Sequence, residues 1–320
     1  MSDTPENTAA EHVNAADEKP AAPAKIKAAS KPTAAPKKPA AKKVAAKAVT
    51  AKPAAAKSAA AKPATKAKKS TIEVDGKTRY YEPAPEHIDV EEFRKVVMSR
   101  RSVRKFTKRP IPDAVVNDCI DMALLAPNSS GLQPWDFYLV RSNEKKKKLV
   151  KFCFSQLAAA TAAELIVVVA RTDRIADFAA RMLREWPQDN IPTIVKRYYK
   201  LIPIHYASGP LNSFAFAKKA AFAVGGLLYP VPRGPFTESE LKLWAAKSTA
   251  LACENLMLAF RAHGFDTCAM EGFDDKRVSD MLKLKDGEFP IMVIGAGERA
   301  PDGVFHPQVR FDRKLFVHEV

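Results

Sequence analysis

The chain of 320 residues carries a formal net charge of +16, and its composition divides it into two unequal parts. Residues 1–70 hold 25 Ala, 15 Lys and 8 Pro and no aromatic residue, so they have almost nothing large to bury, and we expect a disordered basic tail. No apolar run approaches the roughly 20 residues that cross a bilayer, which excludes an integral membrane protein, and we expect no membrane partner and a cytoplasmic location. The four cysteines include no C-x-x-C pair and indicate reduced core thiols rather than a zinc site or disulfides.

The Ala/Lys/Pro pattern of residues 1–70 resembles the tails of linker histones and bacterial histone-like proteins in composition only. Such a run of lysines can neutralise phosphates without sequence preference, so weak nonspecific nucleic-acid contact is one interpretation. A solubilising linker is the other, and we favour it because no aromatic residues are interleaved for base stacking.

All 17 Phe, 7 Tyr and 3 Trp fall in residues 71–320, which predict one globular domain. The pattern predicts a hairpin around Asp75-Gly76, a helix from Asp89 to Arg100 and a second helix from Asp113 to Pro127. A strand over 136–141 and a helix over 144–157 follow.

Residues 165–169 then predict a buried strand, and the proline-rich segment 187–236 predicts a variable insertion or lid with a helix near 215–228. A capping box at Thr237 opens a long core helix that ends at Gly264, and a buried strand covers 289–295. This mixture without strict βαβ alternation indicates an α+β fold, and the chain end alternates enough to form an extended arm.

Three segments contain residue types that bind ligands. Residues 100–104 concentrate three guanidiniums and a hydroxyl, which suit a phosphate but also simply complement a helix C-terminus. Residues 126–135 form a Pro-bounded polar loop that leads into a strand. Residues 270–274 expose backbone N–H groups where a strand is followed by a helix. The alternative for this last segment is a plain helix N-cap formed by Asp274.

Taken in order, the motifs Arg-Arg-Ser-x-Arg-x-Phe, Pro-x-Pro, Ala-Pro-(polar)-Gln-Pro-Trp-x-Phe and Met-Glu-Gly-Phe-Asp resemble the FMN-dependent nitroreductase family over residues 93–320. The resemblance implies a nitroreductase-like α+β fold with a central mixed or antiparallel sheet flanked by helices. It also implies an intertwined homodimer with an extended C-terminal arm and FMN at the shared interface.

The same resemblance implies residue roles. The phosphate would be held by Arg100, Arg101 and Ser102, with Arg104 at the flavin edge. The loop from the partner subunit would contribute Pro127, Asn128, Ser129 and Gln133. The remaining cofactor contacts would be Gln156 (or Ser155) on the helix after the lysine-rich segment, Met270, Glu271, Gly272 and Arg310. Three features depart from the family pattern: Gln308 stands where a lysine is common, Gly131 stands where many members have Asn, and the segment 187–236 is longer than the core pattern.

By resemblance, NADH or NADPH would give a hydride to FMN, and a nitroaromatic, quinone or similar electron-poor acceptor would then take it in a ping-pong cycle. Because the flavin carries the chemistry, no catalytic acid or base and no metal is expected. Flavin-dependent dehalogenation or flavin fragmentation on the same fold remains an alternative, as does a nucleic-acid-associated protein that acts through its tail.

Overall fold

The computed structural model describes residues 71–320 apart from 86 and 189, and the prediction of a disordered tail lies outside the described residues. The chain divides into two units, Met1–Glu82 and Pro83–Val320. In the first unit, strands β1 (Thr71–Val74) and β2 (Lys77–Tyr80) pair antiparallel, which confirms the predicted hairpin. Its turn residues Asp75 and Gly76 both have positive φ, as a tight hairpin turn requires.

The second unit is built on one antiparallel sheet in the order β3-β4-β6-β5. The strands are β3 (Trp135–Leu139), β4 (Glu164–Arg171), β5 (Asp266–Met270) and β6 (Glu288–Gly297). The predicted strands at 136–141, 165–169 and 289–295 are therefore confirmed, with shifts of a few residues at their ends.

The helices of this unit are α1 (Val90–Ser99), α2 (Asp113–Leu124), α3 (Asn143–Phe152), α4 (Leu157–Thr161), α5 (Ile175–Arg184), α6 (Thr193–Tyr206), α7 (Ser213–Gly225), α8 (Glu238–Ala262) and α9 (Asp275–Leu282). None of the helices in the described part of the chain is long and apolar enough to cross a membrane.

The sheet lies between two helical layers because the side chains of β4 alternate between its faces. Leu165 and Val167 pack with α3, α4 and α9, whereas Ile166 and Val168 pack with α2 and α8. Both sets are fully buried, which explains why the strand appears in the sequence as one continuous apolar run. The four cysteines are buried and free, as predicted.

Helix α8 is the central core helix that its sequence predicts. The Thr237 hydroxyl accepts from the N–H of Glu240, and the Glu240 carboxylate accepts from the N–H of Thr237, so both halves of the capping box are present. Eleven of its residues are buried, among them Trp244, and they reach both the sheet and the insertion helices.

One predicted helix is wrong in extent. The lysine-rich helix expected over 144–157 ends at Phe152, and α4 begins only at Leu157. Phe154 and Ser155 both have φ of 54°, a left-handed conformation that no helix accommodates, so the chain turns here.

Segment 187–236 contains more helix than the sequence predicts. The expected helix near 215–228 is α7, but α6 precedes it and continues through Pro203. Tyr199, Ile202 and Tyr206 of α6 pack with Trp244 of α8 in a third core cluster, which fixes the insertion to the sheet layer.

Candidate functional site

Four arginines and a serine that the sequence analysis singled out line a single cleft of about 240 Å³, closed on its other side by the segment 304–310. They are Arg100, Arg101, Ser102, Arg104 and Arg310. Arg100 and Arg310, which are 210 positions apart in the chain, thus line one cleft, although in the sequence only the family resemblance groups them.

Main-chain pairing brings these residues together. Ser102 forms a parallel bridge with Thr267 of β5, and the N–H of Val103 donates to the Thr267 carbonyl at 3.0 Å. On the other side, the N–H of Arg104 donates to the Gly303 carbonyl at 2.7 Å. A Cβ at Gly303 would lie 2.4 Å from the Lys105 carbonyl oxygen, so only glycine allows this close approach.

The guanidiniums in this cleft are fixed by specific partners. Arg101 donates to the His306 carbonyl at 2.6 Å, and Arg100 lies 3.5 Å from Glu254 of α8. Arg104 donates to the Cys268 sulfur at 3.5 Å, and although burial raises the pKa of that thiol, the cation lowers it in part. Because positive charge exceeds negative charge along these described residues, the cleft suits an anion such as a phosphate.

A second group of predicted site residues lies where strand β5 ends. The side-chain amide of Gln156 donates to the Gly272 carbonyl at 2.8 Å, and the N–H of Asp274 donates to the Phe152 carbonyl at 2.8 Å. Gln156 is the N-cap residue of α4, the helix that follows the lysine-rich helix α3. Glu271 and Gly272 are exposed, whereas the side chain of Met270 is buried in the core, so Met270 can offer a ligand only its main chain.

The third predicted segment, the loop before β3, is held by its own hydrogen bonds and by α6. Asn128 accepts from the N–H of Gln133 at 2.8 Å, while Pro127 and Ser129 are exposed. Ser130 pairs with the Tyr198 hydroxyl at 2.6 Å. This loop packs on the clusters of Trp135 and of the insertion helices, whereas the arginine cleft packs on the cluster around β5. Within one chain, the two parts of the predicted site therefore lie on different core clusters.

A larger cavity of about 590 Å³, which no sequence motif predicts, lies between this loop and α5. Its walls include Gln133 and Trp135 at the end of the loop, and Phe178, Met182 and Trp186 on or just after α5. Helix α5 was not predicted at all, although Ile175, Ala179 and Met182 recur at helical spacing in the sequence.

This fold and cleft define a class of α+β proteins with an arginine-rich cleft beside an antiparallel strand. The sequence pattern of the Nitroreductase family matches residues 97–298, and the chain belongs to that family. The predicted nitroreductase-like α+β fold is confirmed, with an antiparallel sheet.

Relatives and solved structures agree with this family. The 4-nitrobenzoate reductase of Pseudomonas putida is 28% identical over 205 residues, which span 62% of this chain and 81% of that protein. An NADH dehydrogenase of Thermus thermophilus is 24% identical over 206 residues, which span 64% of this chain and 86% of that protein. A protein from Exiguobacterium sibiricum, solved in complex with FMN, has a TM-score of 0.53 at 23% identity and covers 71% of this chain and 97% of its own.

Proposed function

We propose that this chain is an FMN-dependent NAD(P)H oxidoreductase that reduces nitroaromatic, quinone or similar electron-poor acceptors. The observation that carries the proposal is the cleft in which Arg100, Arg101, Ser102, Arg104 and Arg310 converge. Family membership and the FMN complex of the Exiguobacterium protein support the same cofactor.

The residues present fit FMN. Guanidinium forks and a hydroxyl in a small cleft match the donor pattern that a phosphate monoester needs, and Gln308 leaves the cleft with one cation fewer than the family pattern. Arg104 reaches from this cleft to Cys268 on β5, and β5 leads directly to Glu271 and Gly272. A cation at that position would stabilise negative charge on a reduced flavin ring, and the Gln156 bond would fix the main chain beside it.

Bound FMN would supply the hydride chemistry, and the overall reaction balances without a catalytic acid on the protein. NAD(P)H gives two electrons and one proton, solvent gives a second proton, and a quinone leaves as the hydroquinone while NAD(P)⁺ is released. The arginines of the cleft and Ser102 would bind the phosphate, and Arg104 and Gln156 would orient the cofactor. The Gln156 hydrogen bond would also hold the main chain at Gly272 in a fixed position.

We also propose that two copies assemble into a homodimer in which the loop 127–129 of one copy reaches the cofactor held by the other. Helix α1 contains no buried residue, although its sequence includes large apolar side chains. Phe93 and Met98, for example, are 57% and 68% exposed. The segment 305–320 is exposed throughout and carries Phe305, Phe311 and Phe316. Apolar surface of this extent is typical of a protein interface rather than of a monomer.

Steady-state kinetics tests the proposal. Initial rates measured against NADH or NADPH at several fixed concentrations of a quinone should give parallel double-reciprocal lines, because nicotinamide and acceptor use the flavin in turn. Sedimentation velocity on the same sample should give twice the monomer mass. A protein saturated with FMN that oxidises neither nicotinamide would overturn the assignment.

A further inference from the structure

The C-terminus of helix α1 determines whether the arginines that follow it are available to a ligand. The sequence leaves two roles open for the guanidiniums of residues 100–104, which either bind an anion or complement the carbonyls at the end of this helix. The last carbonyls of an α-helix have no partner within the helix, so a cation beside them is stabilising. Helix α1 has no basic residue in its own last turn.

An arginine from a distant part of the chain occupies this helix end. The guanidinium of Arg299, which follows β6, donates to the carbonyl of Ser99, the last residue of α1, at 3.4 Å. In the described part of the chain, the three arginine side chains of segment 100–104 have their partners elsewhere, and none donates to a carbonyl of α1. Arg299 therefore supplies the complementing cation, and the guanidiniums of the segment are left for the cleft.

One buried carboxylate fixes the orientation of Arg299. Asp266, the first residue of β5, is 3% exposed, and its two oxygens accept from Nε and Nη2 of Arg299 at 3.1 and 2.7 Å. Two parallel bonds of this kind set the plane of a guanidinium as well as its position. The Nη2 atom that bonds Asp266 also bonds the Ser99 carbonyl, so the carboxylate directs this donor to the end of α1.

The main chain at Arg299 holds the other end of the same segment. Arg299 forms an antiparallel bridge with Phe106, and the N–H of the next residue, Ala300, donates to the Lys105 carbonyl at 3.1 Å. Arg299 thus contacts the chain on both sides of segment 100–104, before it through the side chain and after it through the main chain. The five residues between these contacts are held in place from both ends.

We propose that Asp266 and Arg299 are positioning residues for phosphate binding, which complement the end of α1 and so leave the guanidiniums of segment 100–104 free for the ligand. The inference rests on the proposed function, because the ligand is the phosphate of FMN. Neither residue is among those that line the cleft. Without the Arg299 side chain, the nearest cations to the Ser99 carbonyl are those of the segment itself, and an arginine that turns back to this carbonyl is lost to the phosphate.

Paired titrations with FMN and riboflavin test this role, because the two compounds differ only in the phosphate. Full-length apoprotein is titrated with each compound by fluorescence in a buffer free of phosphate. Arg299→Gln removes the cation and its paired bonds to Asp266. We expect its FMN affinity to fall about tenfold, the scale of one charged hydrogen bond lost to the phosphate, and its riboflavin affinity to stay within about twofold of wild type. A purely structural effect would lower both affinities by the same factor.

Arg261→Gln is the matched control. Arg261 of α8 donates to the same Asp266 carboxylate at 2.9 Å, but among the described residues it forms no hydrogen bond or ion pair with Ser99 or with segment 100–104. Its loss should lower the thermal midpoint and leave the ratio of FMN affinity to riboflavin affinity unchanged. Arg299→Lys keeps a cation without the planar fork, so it should recover part of the ratio that Arg299→Gln loses.

Asp266→Asn should lower the ratio of FMN affinity to riboflavin affinity in the same direction. Because Asp266 is buried between two guanidiniums, this variant risks unfolding. The Arg299 side chain is 35% exposed, so the Arg299 variants decide the test if Asp266→Asn does not fold.

Hydrogen–deuterium exchange on the apoprotein tests the positioning without any flavin. The N–H groups of Val103 and Arg104 donate to the carbonyls of Thr267 and Gly303, so peptides that cover segment 100–104 report whether the segment stays in place. Exchange in this segment should be about fivefold faster in Arg299→Gln than in wild type or in Arg261→Gln.

The outcomes separate this inference from the proposed function. A fall in FMN affinity alone, with faster exchange in segment 100–104, supports the positioning role. Equal factors for FMN and riboflavin in Arg299→Gln, unchanged affinity for both, or the same exchange as in Arg261→Gln overturns it and leaves the proposed function standing. Wild type that binds riboflavin as tightly as FMN overturns the assignment of the cleft to phosphate, and this inference with it.

Discussion

The side-chain amide of Gln156 donates a 2.8 Å hydrogen bond to the carbonyl of Gly272, 116 residues further along the chain. This bond joins the left-handed turn after α3 to the segment that follows β5. Both residues belong to the predicted cofactor site, and the hydrogen bond holds them next to each other. The left-handed conformation of Phe154 and Ser155 ends the helical path of the chain before Gln156.

Replacing Gln156 by Glu should disturb this segment without unfolding the protein. A carboxylate cannot donate to the Gly272 carbonyl, so two acceptors would face each other, and we expect FMN affinity to fall about tenfold, the equivalent of ~1.4 kcal/mol. Fluorescence titration of the apoprotein with FMN measures this. A thermal midpoint within a few degrees of wild type would show that the fold is intact, and unchanged affinity would remove Gln156 from the site.

Removal of single guanidiniums should release the cofactor. Arg100→Ala and Arg310→Ala each lose a charged hydrogen bond to the phosphate, which costs about 2 kcal/mol or about 30-fold in FMN affinity. Arg94→Ala is the matched control, because Arg94 lies exposed on α1 and pairs only with Glu91 among the described residues. Tight flavin retention in both Arg100→Ala and Arg310→Ala would contradict the assignment of the cleft to phosphate.

The four cysteines should be chemically silent in the native protein. Burial raises the pKa of Cys119 and Cys253 to about 12 and that of Cys153 to about 11, and it also raises the pKa of Cys268. At pH 8 these groups are thiols rather than reactive thiolates. Titration with Ellman's reagent should detect no fast-reacting group before denaturation and four groups in denaturant; a rapid native reaction would mean that one thiol is accessible.

Glu240 should make a pH-dependent contribution to stability. The Lys219 ammonium and the N–H groups of Phe236 and Thr237 lower the pKa of this carboxyl from 4.5 to about 2. Because the folded pKa is depressed, the stabilisation is full above pH 4.5 and is lost as pH falls toward 2. The group is about a third exposed, so solvent screening limits the effect to about 1 kcal/mol.

Thermal unfolding of wild type and Glu240→Gln at a series of pH values tests this linkage. The difference between the two midpoints should be constant from pH 7 to pH 5 and should shrink steadily below pH 4.5. Glu238→Gln serves as the control, since Glu238 is exposed and pairs only with Lys242 among the described residues. A difference that persists undiminished at pH 2.5 would show that the carboxylate charge is not responsible.

The sequence predicts most of the sheet and its flanking helices because their signals are local. The apolar run of β4, the capping box of α8 and the stop at Gly264 each depend on a few neighbouring residues. The insertion is harder to predict because Pro203 stands inside α6 and masks the buried spacing of Tyr199, Ile202 and Tyr206.

Much of the candidate site also follows from motif order, whereas its geometry does not. Nothing local predicts that Arg310 lines the same cleft as Arg100. The chain segment that carries Arg310 follows Gly303, which packs closely against the Lys105 carbonyl. The larger cavity beside α5 escaped prediction for the same reason. Its walls come from a loop and a helix that pack together only once the insertion has folded.

The most direct test of the central claim is the visible absorption spectrum of the purified full-length protein, with mass spectrometry of any chromophore that denaturation releases. The account predicts flavin absorption bands near 370 and 450 nm and a released compound with the mass of FMN. A colourless protein that also fails to bind added FMN would contradict it.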